Sequence, residues 1–362
     1  MPGPFAYDAL PGRVVFGPGV SLHRLADEVS RLGATRVLVI VAEHERELAE
    51  RLGASLGERV VDMFTHVRPH VPTAVAKEAL AAALRSEADA LLSIGGGSTT
   101  GTAKAVALET ALPIIAVPTT YAGSEMTPVW GMTTAERKTT GRSPNVLPKV
   151  VIYDPELTFS LPADITAPSA MNAMAHCVEA FYAPQANPIT SLVAEEGLRA
   201  IARSVPVAVR EPDNLDARSD MLYGAYLAGS AFAAAGGALH HKICHVLGGA
   251  YDLPHAETHS ALLPQVVAFN APAIPEAMAR VARAIDADDA ACGLFDLAVL
   301  IGSPVSLEAV GFRADALDEA VARVLEEIAP GNPRAVDEDG LRAILSGAFL
   351  GVRPSPVGAG AA

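Results

Sequence analysis

Five of the chain's ten histidines fall between residues 239 and 263: His240, His241, His245, His255 and His259. His241 and His245 are four apart, so a helix stacks them on one face. Gly248-Gly249 and Pro254 are expected to break that helix and bring in His255 from a second direction. Upstream, Asn172 and His176 repeat the four-residue spacing within an apolar, alanine-rich stretch, which predicts a buried helix. Polar side chains on interior faces need partners. One such histidine alone reads as a core residue satisfying a backbone group. Several of them converging from separate elements read as a site that can hold oxygen atoms and move a proton.

A second stretch with chemistry is Gly95, Gly96, Gly97 and Ser98, between a strand-like run at 90–94 and a helical segment at 99–108. Consecutive glycines let the backbone approach a bulky group, and the first N–H groups of the helix then point at it, which makes a phosphate seat. It is neither the Gly-x-Gly-x-x-Gly fingerprint nor a triphosphate loop ending in Gly-Lys-Ser/Thr. The next strand, 113–118, runs into Thr119, Thr120 and a hydroxyl-rich loop ending at Glu125. Ligands of open parallel sheets lie beyond the strands' carboxyl ends, so the two loops are expected to flank one ligand. Lys138, near the tip of a hairpin predicted between residues 127 and 153, could reach a phosphate.

The elements that must position these residues fall into two groups. Up to about residue 158, β-branched runs alternate with amphipathic segments, the pattern of βα units and a parallel sheet. Beyond Leu161-Pro162 alanine-rich helical patterns continue to about Leu350, predicting an all-helical domain over 159–362 with a mobile tail from about 353. A cleft between the domains would bring the phosphate seat and the histidines together. The chain is 362 residues long and 50% hydrophobic, enough for large cores in a soluble protein. A net charge of −14 argues against nucleic acid or an anionic membrane as partner, so an anionic substrate would have to be attracted locally.

Cys177, Cys244 and Cys292 show neither zinc-knuckle nor disulfide spacing and suit a reducing cytoplasm. Cys177 and Cys244 each adjoin a site histidine but face elsewhere on a helix, and are read as core residues. The N-terminus lacks the pattern of a signal peptide, and the apolar run before Leu239 is too short to span a bilayer.

With these residues in place, the chain resembles the iron-containing alcohol dehydrogenase superfamily, which shares its fold with dehydroquinate synthase and glycerol dehydrogenase. The motifs are Gly95-Gly-Gly-Ser98, Pro118-Thr-Thr120 with Gly123-Ser-Glu125, Asp154-Pro-Glu-Leu157 and His241-x-x-x-His245 followed by Pro254-His255. In metal-dependent members an Asp and three His hold iron or zinc, and the matching positions here are Asn172, His176, His241 and His255. Asn172 departs from that pattern and leaves a neutral set, so no metal is expected.

One branch, the maleylacetate reductases, is similar in Met171-Asn-Ala-Met-Ala-His176, in Phe5-x-Tyr7 with residues 10–17, and in residues 137–142. The resemblance implies a cytoplasmic homodimer that reduces the enone double bond of maleylacetate, a dicarboxylate, to 3-oxoadipate with NAD(P)H in aromatic catabolism. It places pyrophosphate on Gly95, Gly96, Gly97 and Ser98, with Thr119, Thr120 and Lys138 along the nicotinamide and ribose. Glu43, just past the strand at 36–41, could accept the adenosine 2′-hydroxyl and disfavour a 2′-phosphate, which points to NADH with NADPH use also open.

Partly protonated His241 and His245 would stabilise an enolate, one of them donating the proton, while Asn172, His176 and His255 hold substrate oxygens. The competing readings are a metal-dependent alcohol or polyol dehydrogenase and a non-catalytic nucleotide-binding protein.

Overall fold

The computed structural model describes residues 4–10, 12–134, 138–328 and 331–356. Its contacts divide the chain into Leu10–Leu161 and Pro162–Ala362, and the described residues before Leu10 group with the latter. Those first residues form neither strand nor helix, and the sequence pattern assigns them to the α/β unit.

The first unit alternates strands and helices: β1 (Arg13–Phe16), α1 (Val20–Arg31), β2 (Val37–Val41), α2 (Arg46–Gly53), β3 (Val60–Phe64), α3 (Thr73–Arg85), β4 (Ala90–Gly95), α4 (Gly97–Thr110) and β5 (Ile114–Pro118). A hairpin, β6 (Val129–Thr133) and β7 (Lys138–Arg142), precedes β8 (Val150–Tyr153). Six strands pair in parallel in the order β1-β8-β5-β4-β2-β3. The valine and isoleucine runs suit strands covered on both faces. Alternate residues of β2 show it: Val37, Val39 and Val41 pack with Leu25 and Val29 of α1 and Leu52 of α2, whereas Leu38 and Ile40 pack with alanines of α3 and α4. Asp154, just after β8, ties α1 to the sheet by accepting from the backbone N–H of Gly19 and Ser21 and from the Ser21 hydroxyl.

The second unit is helical: α5 (Ala163–Glu179), α6 (Pro188–Arg210), α7 (Leu215–Ala235), α8 (Leu239–Tyr251), α9 (His255–Asn270), α10 (Pro275–Ala284), α11 (Ala290–Leu300), α12 (Leu317–Glu327) and α13 (Glu338–Leu350). From Thr166 to Glu179 every residue of α5 is buried, as its apolar composition predicts. Among the described residues no single helix is long and apolar enough to cross a membrane.

Two expectations are corrected. The Gly248-Gly249 pair does not end α8, which runs on to Tyr251 and stops where Asp252 turns left-handed at φ 52°, Pro254 then preceding α9. Paired glycines weaken a helix but leave its hydrogen bonds intact, unlike a left-handed residue. Nor is the chain loose from residue 353. Arg353 makes a two-pronged ion pair with Asp296, and the Pro354 carbonyl accepts from the Cys292 thiol, so the segment to Pro356 is tied down. Residues 357–362 lie outside the described residues.

Candidate active site

Within the α/β unit, β4 ends at Gly95 and α4 starts at Gly97, two residues earlier than the sequence pattern suggests. Gly95 has φ +144°, and a Cβ there would stand 2.6 Å from both Glu45 Oε2 and Thr99 Oγ1, so only glycine fits. No side chain caps α4, which leaves its leading N–H groups, at Gly97 and Ser98, to face an anion. A pyrophosphate fits such a seat. Thr119, at the end of β5, donates from Oγ1 to Glu45 Oε1 at 2.7 Å, and Thr120 lies against Gly96. The glycine turn, Thr119 and Thr120 are thus brought together as expected, with Glu45 added.

Glu43 is not in this group. Both its oxygens accept from the Arg46 guanidinium on the surface, which holds its pKa down at about 2, whereas burial raises that of Glu45. A strand end fixes where the turn begins, and the 3-10 turn over Glu43–Glu45 decides which acid faces inward. Lys138 opens β7, and its side chain lies outside the described residues, as does Arg137. The lysine that matters to the described loop is Lys104 of α4. Fully buried, it donates to the carbonyls of Ser124, Thr127 and Val129, and desolvation brings its pKa down to about 7.

Within the helical unit, α5 supplies Asn172 and His176, α8 supplies His240, His241 and His245, and α9 supplies His255 and His259. His176 and His241 stack at 4.9 Å between ring centroids, with Phe232 of α7 against both. His241 stands 6.1 Å from His245, which stacks on His255 at 6.3 Å. His245 is half-buried and His255 exposed, while Asn172, His176 and His241 are buried. Buried atoms without a hydrogen-bond partner among the described residues include Asn172 Oδ1, His176 Nδ1 and His241 Nε2. Unpaired polar atoms at such depth mark a place where a ligand completes the bonding.

Glu179, the last residue of α5, organises the cluster. Its carboxyl group accepts from the backbone N–H groups of Ala238, His240 and His241 at the start of α8, and contacts His241 Nδ1 at 2.5 Å. Burial raises the Glu179 pKa and lowers that of His241, to about 3. Both directions express one cause: net charge is costly there, which favours a proton held between the carboxyl group and Nδ1 and, with it, a hydrogen on His241 Nε2. Sequence reasoning passed over Glu179. Its one signal was a carboxylate three residues after His176 on an otherwise apolar helix.

The expectation of partly protonated imidazoles does not hold for the buried rings. Desolvation lowers the pKa of His176 and His259 and takes that of His240 to about 3, so these rings are neutral and donate through N–H without a positive charge. The unfolded chain binds their protons near the ordinary value of 6.5 and the folded chain does not. Stability is therefore complete above about pH 6.5 and falls as the pH drops toward 3. Each of the three rings adds to the loss in the same direction. Denaturant midpoints measured from pH 7 to pH 4 test this, a flat profile being the contrary result.

The donor set also bears on metal. Asn172, His176 and His241 offer only neutral atoms, and the nearby carboxyl group, Glu179, is turned to α8 and the far side of His241. His255, the fourth matching position, is exposed. The set fits a divalent cation less well than one containing a carboxylate. His240 Nε2, Cys244 Sγ and His259 lie within 4.8 Å of one another, but His240 Nε2 and His259 Nδ1 are hydrogen-bonded to each other at 2.9 Å.

Residues 11–155 match the family model described as iron-containing alcohol dehydrogenase, and residues 166–349 the C-terminal model of the same family. A maleylacetate reductase from Sphingobium indicum is 49% identical over 350 residues, 97% of this chain and 99% of that protein. The crystal structure of maleylacetate reductase from Agrobacterium tumefaciens superposes with a TM-score of 0.93 at 45% identity, covering 97% of this chain and 100% of that one. The corresponding enzyme from Rhizobium gives 0.93 at 46%, covering 97% and 99%.

Proposed function

Because the chain belongs to the iron-containing alcohol dehydrogenase family, whose members are NAD(P)-dependent oxidoreductases, we propose that it reduces the enone double bond of maleylacetate to give 3-oxoadipate, without a resident metal. The relatives' names supply the substrate. The observation that carries the chemistry is the buried, neutral group of Asn172, His176 and His241, whose Oδ1, Nδ1 and Nε2 atoms lack partners among the described residues, with a carboxyl group placed behind His241.

Gly95, Gly96, Gly97 and Ser98 would hold the pyrophosphate of the dinucleotide, which would supply a hydride when bound. Addition to the carbon β to the ketone moves the alkene electrons toward the ketone oxygen, and an enolate forms. That charge is delocalised, so hydrogen-bond donors suffice where an isolated alkoxide would call for a Lewis acid. His241 Nε2–H, fixed by Glu179, donates to the enolate oxygen. His245, one turn along α8 and half-buried, delivers the proton to the α carbon and restores the ketone. Asn172, His176 and His255 hold the remaining oxygens. The metal-free setting also suits a dianion, since a carboxylate at position 172 would repel it.

The test is NADH oxidation with maleylacetate before and after exhaustive chelation. Turnover that survives chelation is expected. Activity that appears only on a simple alcohol or aldehyde after metal is restored would replace this reading with that of a metal-dependent dehydrogenase.

NADH is the proposed cofactor. Glu45, four residues past β2 and bonded to Thr119, stands at the carboxyl ends of the strands, where a carboxyl group favours a ribose hydroxyl over an added phosphate. Glu45→Gln is expected to raise kcat/KM with NADPH relative to NADH about tenfold, while Glu43→Gln leaves the ratio unchanged; the reverse pattern would return the role to Glu43.

A further inference from the structure

His259 has no part in the reaction as set out above, yet the histidine rings meet there. It is fully buried on α9, one turn beyond His255, with ring centroids 4.4 Å from His255, 4.7 Å from His241 and 4.8 Å from His240. Its Nδ1 is hydrogen-bonded to His240 Nε2 at 2.9 Å, and its Nε2, on the opposite side of the ring, is buried with no partner among the described residues. A core histidine kept only for packing would satisfy both nitrogens or turn one to water.

When His240 Nε2–H donates to His259 Nδ1, the hydrogen of His259 rests on Nε2, and a neutral N–H donor faces away from His240. From His176, stacked on His241, through edge-on contacts of His241 with His259 and of His259 with His255, the rings form a row of imidazoles longer than a single ketone requires. A net charge of −14 means that a second negative group on the substrate must be met by donors within the pocket itself.

We propose that His259 Nε2, with His255 one turn before it, forms the subsite for the carboxylate on the ketone side of a dicarboxylic enone, and that His240 fixes the tautomer of His259. The proposal rests on the reductase reading above. Substrate size is then sensed by this subsite: an enone ending in a methyl ketone keeps the reacting centre and loses the group His259 holds.

The experiment compares maleylacetate with (Z)-4-oxopent-2-enoate, which retains the enone and one carboxylate but ends in a methyl ketone. Wild-type enzyme and the His259→Leu and His259→Gln variants are assayed on both, with NADH affinity and thermal midpoint as controls. His259→Leu is expected to lower kcat/KM for maleylacetate by about 10- to 100-fold, chiefly through KM, and to leave the methyl ketone within about twofold. His259→Gln, whose amide N–H reaches the Nε2 position, recovers most of the loss even if the leucine variant folds poorly. Equal losses on the two substrates, or none on maleylacetate, overturn the subsite. Wild-type protein that oxidises NADH with neither enone overturns the reductase reading itself, which separates the two failures.

Discussion

Glu179→Gln is expected to lower kcat for maleylacetate by about 100-fold or more while leaving NADH affinity within about twofold. The glutamine oxygen can still accept from the backbone N–H groups of His240 and His241, and its NH2 group, standing where Oε2 does, can donate to His241 Nδ1 at the cost of the bond from Ala238 N–H, so the ring keeps its place. What the substitution removes is the shared proton. In the native pair burial raises the Glu179 pKa, so the pair is protonated below that raised value and loses its proton as the pH climbs through it. Activity should therefore fall on the alkaline side in the native enzyme. An amide does not titrate, so the alkaline limb should flatten or move in the variant. Loss of activity with an unchanged pH profile would mean that Glu179 serves α8 alone.

The legible and illegible parts of this molecule separate along a physical line. Runs such as Val37–Val41 and Ile114–Pro118 are continuous in apolar character because both faces are covered, and that continuity is visible without coordinates. The four-residue spacings of Asn172 with His176 and of His241 with His245 likewise survive into the structure, since a helix enforces them. The misreadings arise where a backbone rotation of one residue selects between neighbours. Glu43 and Glu45 are two apart in a 3-10 turn, and only coordinates show that Glu45 is the one beside Gly95 and Thr119. Glu179 and His259 belong to bonds between elements 61 and 19 residues apart, and a helical pattern carries no record of such partners. Neutral imidazoles follow from desolvation, which depends on all the surrounding helices at once.

The other large effect is expected at His245. Replacement by phenylalanine should lower kcat by about two to three orders of magnitude, the usual contribution of a positioned proton donor, with stability within about 1 kcal/mol and NADH binding unchanged. The ring is half-buried and stacks on exposed His255, so a phenyl group fills similar space. His245 is also better placed than His241 to be reloaded with a proton after each turnover, because His241 is enclosed by Glu179, His176 and Phe232. Hydride addition precedes proton delivery, so the variant should retain a first turnover. Rapid mixing of NADH-loaded variant with maleylacetate is expected to show a burst of NADH oxidation followed by slow steady turnover, and formate or another small acid should speed the slow phase. A variant without a burst would place His245 in the hydride step, and undiminished turnover would remove it from the mechanism and leave proton delivery to the His241–Glu179 pair.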